Sequence, residues 1–147
     1  MKIAFDMDNT LFDEFGREVR PGIASLLLDL KKDGHELVLW TSSTRARAHQ
    51  ILGWHDFAAY FSAIYCREDY DPDNKGAIKE LSRFGIDAII DDDPKHCAAA
   101  QASGHIGVQV VSFRGGTSAR AEEMTAVYQK LRRHPNRLWD GLRGLFK

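Results

Sequence analysis

The sequence has little of what secreted or membrane-embedded proteins need. Its two cysteines, Cys66 and Cys97, are too few and too far apart for a disulfide framework, and they favour a reducing, cytoplasmic setting. No apolar run approaches the roughly 20 residues of a membrane-spanning helix. The first residues lead straight into a strand-like run, so no signal peptide is indicated. We therefore expect a soluble globular protein, with 147 residues forming about one domain.

Strong net charge is also absent, since the formal charge is only −1. The charge is uneven, however, because residues 130–147 carry six basic side chains against one acid. The rest of the chain is therefore acidic, which favours an enzyme or binding domain over a general nucleic-acid binder.

What the sequence does contain is an alternation of strand-like and helix-like segments. Helix formation over residues 22–33 is indicated by apolar residues that recur at helical spacing and by a glycine at the end. Residues 11–21 surround Gly16 and predict a small hairpin. Strands that alternate with helices predict an α/β fold with a parallel sheet covered on both faces. The predicted strands are 2–6, 36–40, 62–66, 87–91 and 108–113, and the other predicted helices are 44–53, 75–84 and the segment from Pro94 to Gly104.

Polar side chains follow several of these strands at the point where each strand ends. An isolated Asp-x-Asp-Asn-Thr segment most often forms a turn. In a parallel sheet, however, ligands collect beyond the carboxyl ends of the strands, where such side chains would meet. The residues at these ends are Asp6, Asp8 and Thr10 after the first strand, Thr41, Ser42 and Ser43 after the second, and Asp91, Asp92 and Asp93 after the fourth.

These residue types suit the chemistry of phosphate esters. Carboxylates from adjacent strand ends can share Mg²⁺, which prefers oxygen ligands and substrate phosphate. Thr41 and Ser42 could bind phosphate oxygens at the start of a helix. Lys75, at the predicted start of the 75–84 helix, would add a positive charge for the phosphoryl group.

The four segments together resemble the motifs of the haloacid dehalogenase superfamily of phosphohydrolases. The resemblance covers residues 2 to about 113. It implies a Rossmann-like three-layer sandwich with strand order 5-4-1-2-3 and a small flap hairpin around Gly16. The stretches between motifs are filled by predicted core elements, so no cap domain is expected. The matching motifs are Asp6-x-Asp8-x-Thr10, a strand ending in Thr41, Lys75, and a strand ending in Asp91-Asp92.

The resemblance also implies roles for single residues. Asp6 would be the nucleophile that becomes an aspartyl-phosphate, and Asp8 the general acid and base. Thr41 and Ser42 would bind the substrate phosphate, while Lys75 would stabilise Asp6 and the transferring group.

Metal ligands are implied in the same way. Mg²⁺ would be held by the carboxylates of Asp6 and Asp92, and Asp91 would assist from close by. The segment that contains Asp8 would also supply a ligand, the backbone carbonyl of Met7. Which acid of the 91–93 run touches the metal stays open, with Asp92 favoured.

The predicted function is that of a Mg²⁺-dependent phosphomonoester hydrolase acting on a phosphoprotein or a small phosphorylated metabolite. NLI-interacting-factor-like phosphatases and magnesium-dependent phosphatases both remain possible subfamilies. The alternatives are a nucleic-acid end phosphatase and a non-catalytic phosphate-binding module. No nucleic-acid partner is clearly indicated.

The organisation predicted is a catalytic core over residues 1–114 and a basic helical extension over 115–147. Within the extension, residues 135–147 form an amphipathic segment that we expect to pack on the core or on a second subunit.

Overall fold

The computed structural model describes residues 1–134 and consists of a five-stranded parallel sheet with helices on both faces. The strands are β1 (Lys2–Phe5), β2 (Glu36–Trp40), β3 (Ala63–Tyr65), β4 (Ala88–Asp91) and β5 (Ile106–Gln109). The helices are α1 (Ile23–Lys32), α2 (Arg45–His55), α3 (Arg67–Tyr70), α4 (Pro94–Ala102) and α5 (Glu122–Arg133). Two 3₁₀ turns cover Ala58–Tyr60 and Leu81–Phe84.

The strand order is β3-β2-β1-β4-β5, and all four pairings are parallel. It confirms the predicted order 5-4-1-2-3, which lists the same strands from the opposite edge of the sheet. Phe5 at the end of β1 pairs with Leu39 on one side and with Ile90 on the other. The polar residues after β1, β2 and β4 are thereby brought to one edge of the sheet, with β1 in the middle.

Both faces of the sheet are buried. Successive strand residues point to opposite faces, and they belong to two different hydrophobic clusters. Ile3 and Phe5 belong to a large hydrophobic cluster that includes residues of α1, α2 and α5. Ala4 and Trp40 belong to a second cluster on the other face. The residues from Ile3 to Phe5 in β1 and from Ala88 to Ile90 in β4 are therefore apolar and buried without alternation, as expected for a parallel sheet covered on both sides.

The predicted small hairpin is present between Leu11 and Arg20. The Asp13 amide donates to the Glu18 carbonyl at 3.0 Å, and the Arg20 amide donates to the Leu11 carbonyl at 2.9 Å. Gly16, at the tip, has a φ of 72°. Its carbonyl lies 2.6 Å from Nε2 of His55, which fixes the hairpin against α2.

The predicted helix over residues 75–84 is wrong. The Asp71 carboxylate accepts hydrogen bonds from the backbone amides of Lys75, Gly76 and Ala77, which holds this segment as a loop. Asn74 and Gly76 have φ values of 52° and 74°, which a right-handed helix cannot contain. Helical hydrogen bonding is limited to the 3₁₀ turn at Leu81–Phe84.

The fifth strand also differs from its prediction, because it lies at Ile106–Gln109 and not at 108–113. The chain leaves the sheet after this strand. The Phe113 amide donates to the Asn9 carbonyl at 2.8 Å, so the segment crosses over the loop that follows β1. The predicted strand residues thus form part of the wall around that loop.

Helix α5 packs against α1, and its apolar residues Met124, Val127 and Leu131 are part of the main hydrophobic cluster. The amphipathic segment predicted over residues 135–147 lies outside the described residues. Among residues 1–134, no helix combines the length and the apolar character needed to cross a membrane.

Candidate active site

Three aspartates meet where β1 and β4 end. Asp6, Asp91 and Asp92 each direct a carboxylate oxygen to a common region, and these oxygens lie within 4.8 Å of one another. Asp6 and Asp91 are almost fully buried, with 7% and 1% of their surface exposed. Their proximity follows from the pairing of β1 with β4, which the resemblance to the haloacid dehalogenase superfamily implies.

The cation beside these acids is Lys79 and not Lys75. The Lys79 Nζ atom lies 3.1 Å from Oδ1 of Asp6 and 2.8 Å from Oδ2 of Asp91, and its side chain is 2% exposed. Lys75 is exposed, and its backbone amide is bound to Asp71. Lys75 was expected to contact Asp6, but Lys79 does so instead. Lys75 lies in the loop that the Asp71 carboxylate holds, and the chain returns to the acids only four residues later.

A signal for this difference was present in the sequence. The turn-forming run Asp71-Pro72-Asp73-Asn74 is followed by Gly76, so turn residues continue beyond Lys75. A helix beginning at Lys75 would place that glycine in its first turn. Because Gly76 disfavours a helix at this point, it indicates a longer loop, and a longer loop favours Lys79, the next lysine along the chain, as the cation of the site.

The electrostatics of this cluster indicate an excess of negative charge. Burial raises the pKa of Asp6 well above its ordinary value; Lys79 opposes this effect, while Asp91 and Asp92 add to it. Burial alone would lower the pKa of Lys79, but Asp6 and Asp91 outweigh it and raise that pKa. One ammonium group therefore does not balance three neighbouring carboxylates, and the oxygen-rich site is suited to a hard divalent cation.

Hydroxyl groups orient Asp92. Thr10 Oγ1 lies 3.1 Å from Oδ2 of Asp6 and 3.3 Å from Oδ1 of Asp92. The Ser112 hydroxyl donates to Oδ2 of Asp92 at 2.6 Å. Ser112 was missed by the sequence analysis, which placed it in the fifth strand. It reaches the site because the chain leaves the sheet after β5.

The other two acids of the run have different surroundings. Oδ1 of Asp91 accepts the Asp93 amide at 2.9 Å, and its Oδ2 accepts Lys79. Asp93 is the N-cap of α4, where its carboxylate accepts the Lys95 amide at 3.0 Å. Asp92 is therefore the member of the run whose carboxylate is contacted by the hydroxyl groups of Thr10 and Ser112.

The carbonyl of Met7 makes hydrogen bonds within the loop that follows β1. It accepts the backbone amides of Thr10, Leu11 and Phe12 at 3.2, 3.0 and 3.3 Å, which closes the loop after β1. Met7 itself is fully buried. These hydrogen bonds engage the carbonyl within the loop, and its role as a metal ligand stays a prediction.

Thr41 and Ser42 follow β2, the neighbour of β1. Thr41 is buried, and its hydroxyl oxygen accepts the Ser43 amide at 3.0 Å. Ser42 is exposed, and its carbonyl accepts Nε of Arg67 at 2.9 Å. Helix α2 begins directly afterwards at Arg45. The polar turn after β2 is thus at the expected edge of the sheet, next to the start of a helix.

Asp8 lies apart from the three-aspartate cluster and is paired with Arg47 of α2. The guanidinium Nη1 and Nη2 atoms each lie 2.9 Å from one Asp8 carboxylate oxygen. This two-point ion pair was not anticipated, because Arg47 follows Thr41 in a helix whose side-chain directions the sequence alone does not give.

A second arginine holds the loop that carries Asp8. Arg20 has 2% of its surface exposed and donates to the carbonyls of Thr10 at 2.7 Å and Asn9 at 2.9 Å. It also donates to the Val111 carbonyl and to Glu123 of α5, the latter at 3.1 Å. The guanidinium thus joins the loop after β1 to the segment after β5, and both contribute hydroxyls that contact Asp92.

Comparison with known protein families agrees with this geometry. Residues 1–135 match the model of the NLI interacting factor-like phosphatases. The chain belongs to this family. The match decides between the two subfamilies left open by the sequence, in favour of the NLI interacting factor-like phosphatases.

Solved structures share the fold of this NLI interacting factor-like phosphatase at low sequence identity. A putative β-phosphoglucomutase from Thermotoga maritima has a TM-score of 0.64 at 16% identity, covering 88% of this chain and 98% of that one. A predicted phosphatase from Clostridium acetobutylicum gives 0.64 at 19%, covering 88% and 97%. The D,D-heptose 1,7-bisphosphate phosphatase of B. bronchiseptica, complexed with magnesium and phosphate, gives 0.63 at 18%, covering 89% and 98%. No curated protein matches the chain significantly.

The cysteines of this NLI interacting factor-like phosphatase are unsuited to nucleophilic chemistry. Cys66 and Cys97 are both free and buried. Burial raises the pKa of Cys66 to about 11 and that of Cys97 to about 12, so neither is a thiolate near neutral pH. Among residues 1–134, the acids at the ends of β1 and β4 are therefore the better candidates for the reacting groups.

Proposed function

We propose that this phosphatase hydrolyses phosphomonoesters in a Mg²⁺-dependent reaction that proceeds through a phosphorylated Asp6. The observation that carries the proposal is the position of Asp6. Its carboxylate lies at the end of the central strand, 3.1 Å from the buried Lys79 ammonium and within 4.8 Å of the oxygens of Asp91 and Asp92.

Asp6 and Asp92 would hold the metal directly, with Asp91 close by. Asp91 is held by the charged Lys79 ammonium and by the Asp93 amide, whereas the hydrogen bonds to Asp92 come from the uncharged hydroxyls of Thr10 and Ser112, which favours Asp92 as the ligand. A donor set of carboxylate oxygens is what Mg²⁺ prefers. When bound, the metal would supply positive charge to the phosphoryl group and relieve the repulsion among the acids.

In the first step, an oxygen of Asp6 forms a bond to phosphorus while the bond from phosphorus to the leaving oxygen breaks. Asp8 transfers a proton to that leaving oxygen, so that an alcohol departs. Lys79 stabilises the charge on Asp6 and on the transferring group. Thr41, whose hydroxyl oxygen accepts the Ser43 amide, retains its own proton to donate to a phosphate oxygen, and Ser42 lies in the same turn.

In the second step, Asp8 takes a proton from water, and the resulting oxygen attacks the phosphorus of the acyl phosphate. The bond between phosphorus and Asp6 breaks, which releases inorganic phosphate and restores the carboxylate. Asp8 then carries the proton needed for the next leaving group, so protons balance over the cycle.

The substrate is a phosphorylated protein or small molecule. The chain segments after β1 and β2 are taken up by the hairpin, α1, α2 and β3, and they leave no room for an inserted cap domain. A site without such a cover is open enough to admit either class.

The test is phosphate release from p-nitrophenyl phosphate with Mg²⁺, after EDTA treatment and metal replacement. Asp6→Asn should lower turnover by at least about 10³-fold, because an amide cannot form the acyl phosphate. Asp73→Asn, which changes an exposed acid of the loop before Lys75, is the matched control and should retain activity. Equal turnover by Asp6→Asn and the unmodified protein, or turnover that is indifferent to Mg²⁺, would contradict the proposal.

A further inference from the structure

Arg47 binds Asp8 in the manner in which proteins bind carboxylate ligands. Its Nη1 and Nη2 atoms each lie 2.9 Å from a different oxygen of Asp8, which is the two-point geometry of a guanidinium on a carboxylate. The Arg47 side chain is 37% exposed, and that of Asp8 is 28% exposed. The pair therefore lies where a molecule entering from solvent can reach it.

The guanidinium has further anchors that do not depend on Asp8. Nη1 donates to the Ser43 hydroxyl at 3.0 Å, and Nη2 donates to the Glu14 carbonyl of the hairpin at 3.1 Å. Both anchors are uncharged. They hold the guanidinium in place when Asp8 turns away, but they do not neutralise its charge.

The proposed reaction requires Asp8 to turn away. To give a proton to the leaving oxygen, Asp8 must direct a carboxylate oxygen at the substrate, and both of its oxygens are engaged by Arg47. Two N–H groups of the Arg47 guanidinium then lie beside the leaving group without the Asp8 carboxylate that accepted their hydrogen bonds. An acceptor carried by the substrate would restore those hydrogen bonds at the moment Asp8 is used.

We propose that Arg47 selects phosphomonoesters whose leaving group carries a second anionic group, a carboxylate or a phosphate, which takes the place of the Asp8 carboxylate on the guanidinium. This inference rests on the proposed function, since it assigns Asp8 to the leaving group. It deepens that function by naming the class of substrate.

A series of alkyl phosphates tests the inference. Esters with two, three and four carbons are compared with and without a terminal carboxylate. The leaving oxygens are then chemically similar, while the distance from the ester oxygen to the carboxylate varies. In the unmodified protein, kcat/KM should favour the carboxylate member by about 10-fold at the best length, the effect of one additional charge-assisted hydrogen-bond pair.

Substitutions then assign the preference to Arg47. Arg47→Gln should reduce the ratio between carboxylate and neutral esters to about one, and Arg47→Lys, which keeps the charge without the two-point geometry, should restore part of it. Arg45→Gln is the control for the lost charge: Arg45 is in the same helix and pairs with Asp69, so this variant should keep the full ratio. A role for Arg47 in folding alone would change both esters equally and leave the ratio unchanged.

The outcomes separate this inference from the proposed function. Mg²⁺-dependent hydrolysis with no preference at any chain length, or a preference that persists in Arg47→Gln, overturns the role of Arg47 alone. Failure to release phosphate from any ester, the aryl phosphate included, overturns both. Thermal melts of each variant show whether a loss of activity reflects unfolding.

Discussion

Lys79 is enclosed with Asp6 and Asp91, so that an ammonium group and two carboxylates share a region from which water is largely excluded. Removing ions from water is costly, and the cost is recovered only if the charges remain together with good geometry. The arrangement is therefore sensitive to loss of any one member. Replacing Lys79 would leave two buried acids facing each other.

The first prediction contrasts the two lysines of this segment. Lys79→Met should lower the free energy of unfolding by about 3–5 kcal/mol, because it leaves buried charge without its partner. It should also abolish phosphate release. Lys75→Met should change stability by no more than about 0.5 kcal/mol, as an exposed side chain normally does. Urea unfolding and phosphate assays on both variants would measure this.

An active Lys79→Met protein beside an inactive Lys75→Met protein would contradict the assignment and return the role to Lys75. The free energy of unfolding also distinguishes the two lysines, because loss of a buried ion pair lowers it by several kcal/mol more than loss of an exposed side chain does.

At the scale of single residues, the sequence predicts side chains that follow directly from strand register. Asp6 and Asp91 lie where β1 and β4 end, so their proximity follows from the strand order that the family resemblance implied. Lys79, Ser112 and the Met7 carbonyl are placed by loop conformation. That conformation depends on hydrogen bonds such as those of Asp71 to three successive amides, which a list of residue types does not reveal.

Among the elements, α4 and β5 are packed tightly together at Gly107. A Cβ atom there would lie 2.3 Å from the backbone oxygen of Cys97, so the two elements can pack at this distance only with glycine. Helix α4 is capped by Asp93, next to Asp92 in the chain, and it carries His96, whose Nδ1 accepts the Lys79 amide. A displacement of α4 therefore reaches the candidate site.

The second prediction compares two glycines. Gly107→Ala should destabilise the protein by about 1–3 kcal/mol, because helix and strand must separate to admit the methyl group. Gly53→Ala, within α2, should instead stabilise it by about 0.5–1 kcal/mol, since a Cβ there meets no atom within 4 Å and alanine favours the helix. Thermal melts would measure both. Equal effects of the two substitutions would show that the contact with Cys97 is not the limiting one.

The elements themselves were predicted well wherever hydrophobic periodicity was strong. The apolar residues at helical spacing in the predicted 22–33 helix are the ones that α1 buries, namely Ile23, Leu26, Leu27 and Leu30. The 75–84 helix was predicted from Asn74 as a helix cap and Gly85 as a helix stop, and it is wrong because Asn74 and Gly76 adopt positive φ values within a loop. Local propensity gave way there to the hydrogen bonds of the Asp71 loop.

For the whole molecule, ligand binding should be visible as stability. The third prediction is that Mg²⁺ with beryllium fluoride, a mimic of the phosphoryl group on Asp6, raises the melting temperature. Ligand at about 100 times its dissociation constant adds about 2.7 kcal/mol to the free energy of unfolding. Asp6→Ala and Asp92→Ala should show no such rise, whereas the exposed-acid variant Asp73→Ala should show it fully.

A full rise in Asp92→Ala would move the metal contact to Asp91 or Asp93. The binding assay needs no turnover, so it tests the phosphoryl site even if the physiological substrate differs greatly from an aryl phosphate.

The position of β1 has a consequence for how the chain reaches its native state. This first strand is the central one, and Ile3 pairs with Leu37 on one side and with Ala88 on the other. During synthesis, at about 5–20 residues per second, β1 can pair with β2 early, but its second edge stays open until β4 has emerged. An open edge is where strands of other chains add. The late closure of that edge also brings Asp91 to Asp6, so the three-aspartate cluster of the candidate site assembles only when the sheet is nearly complete.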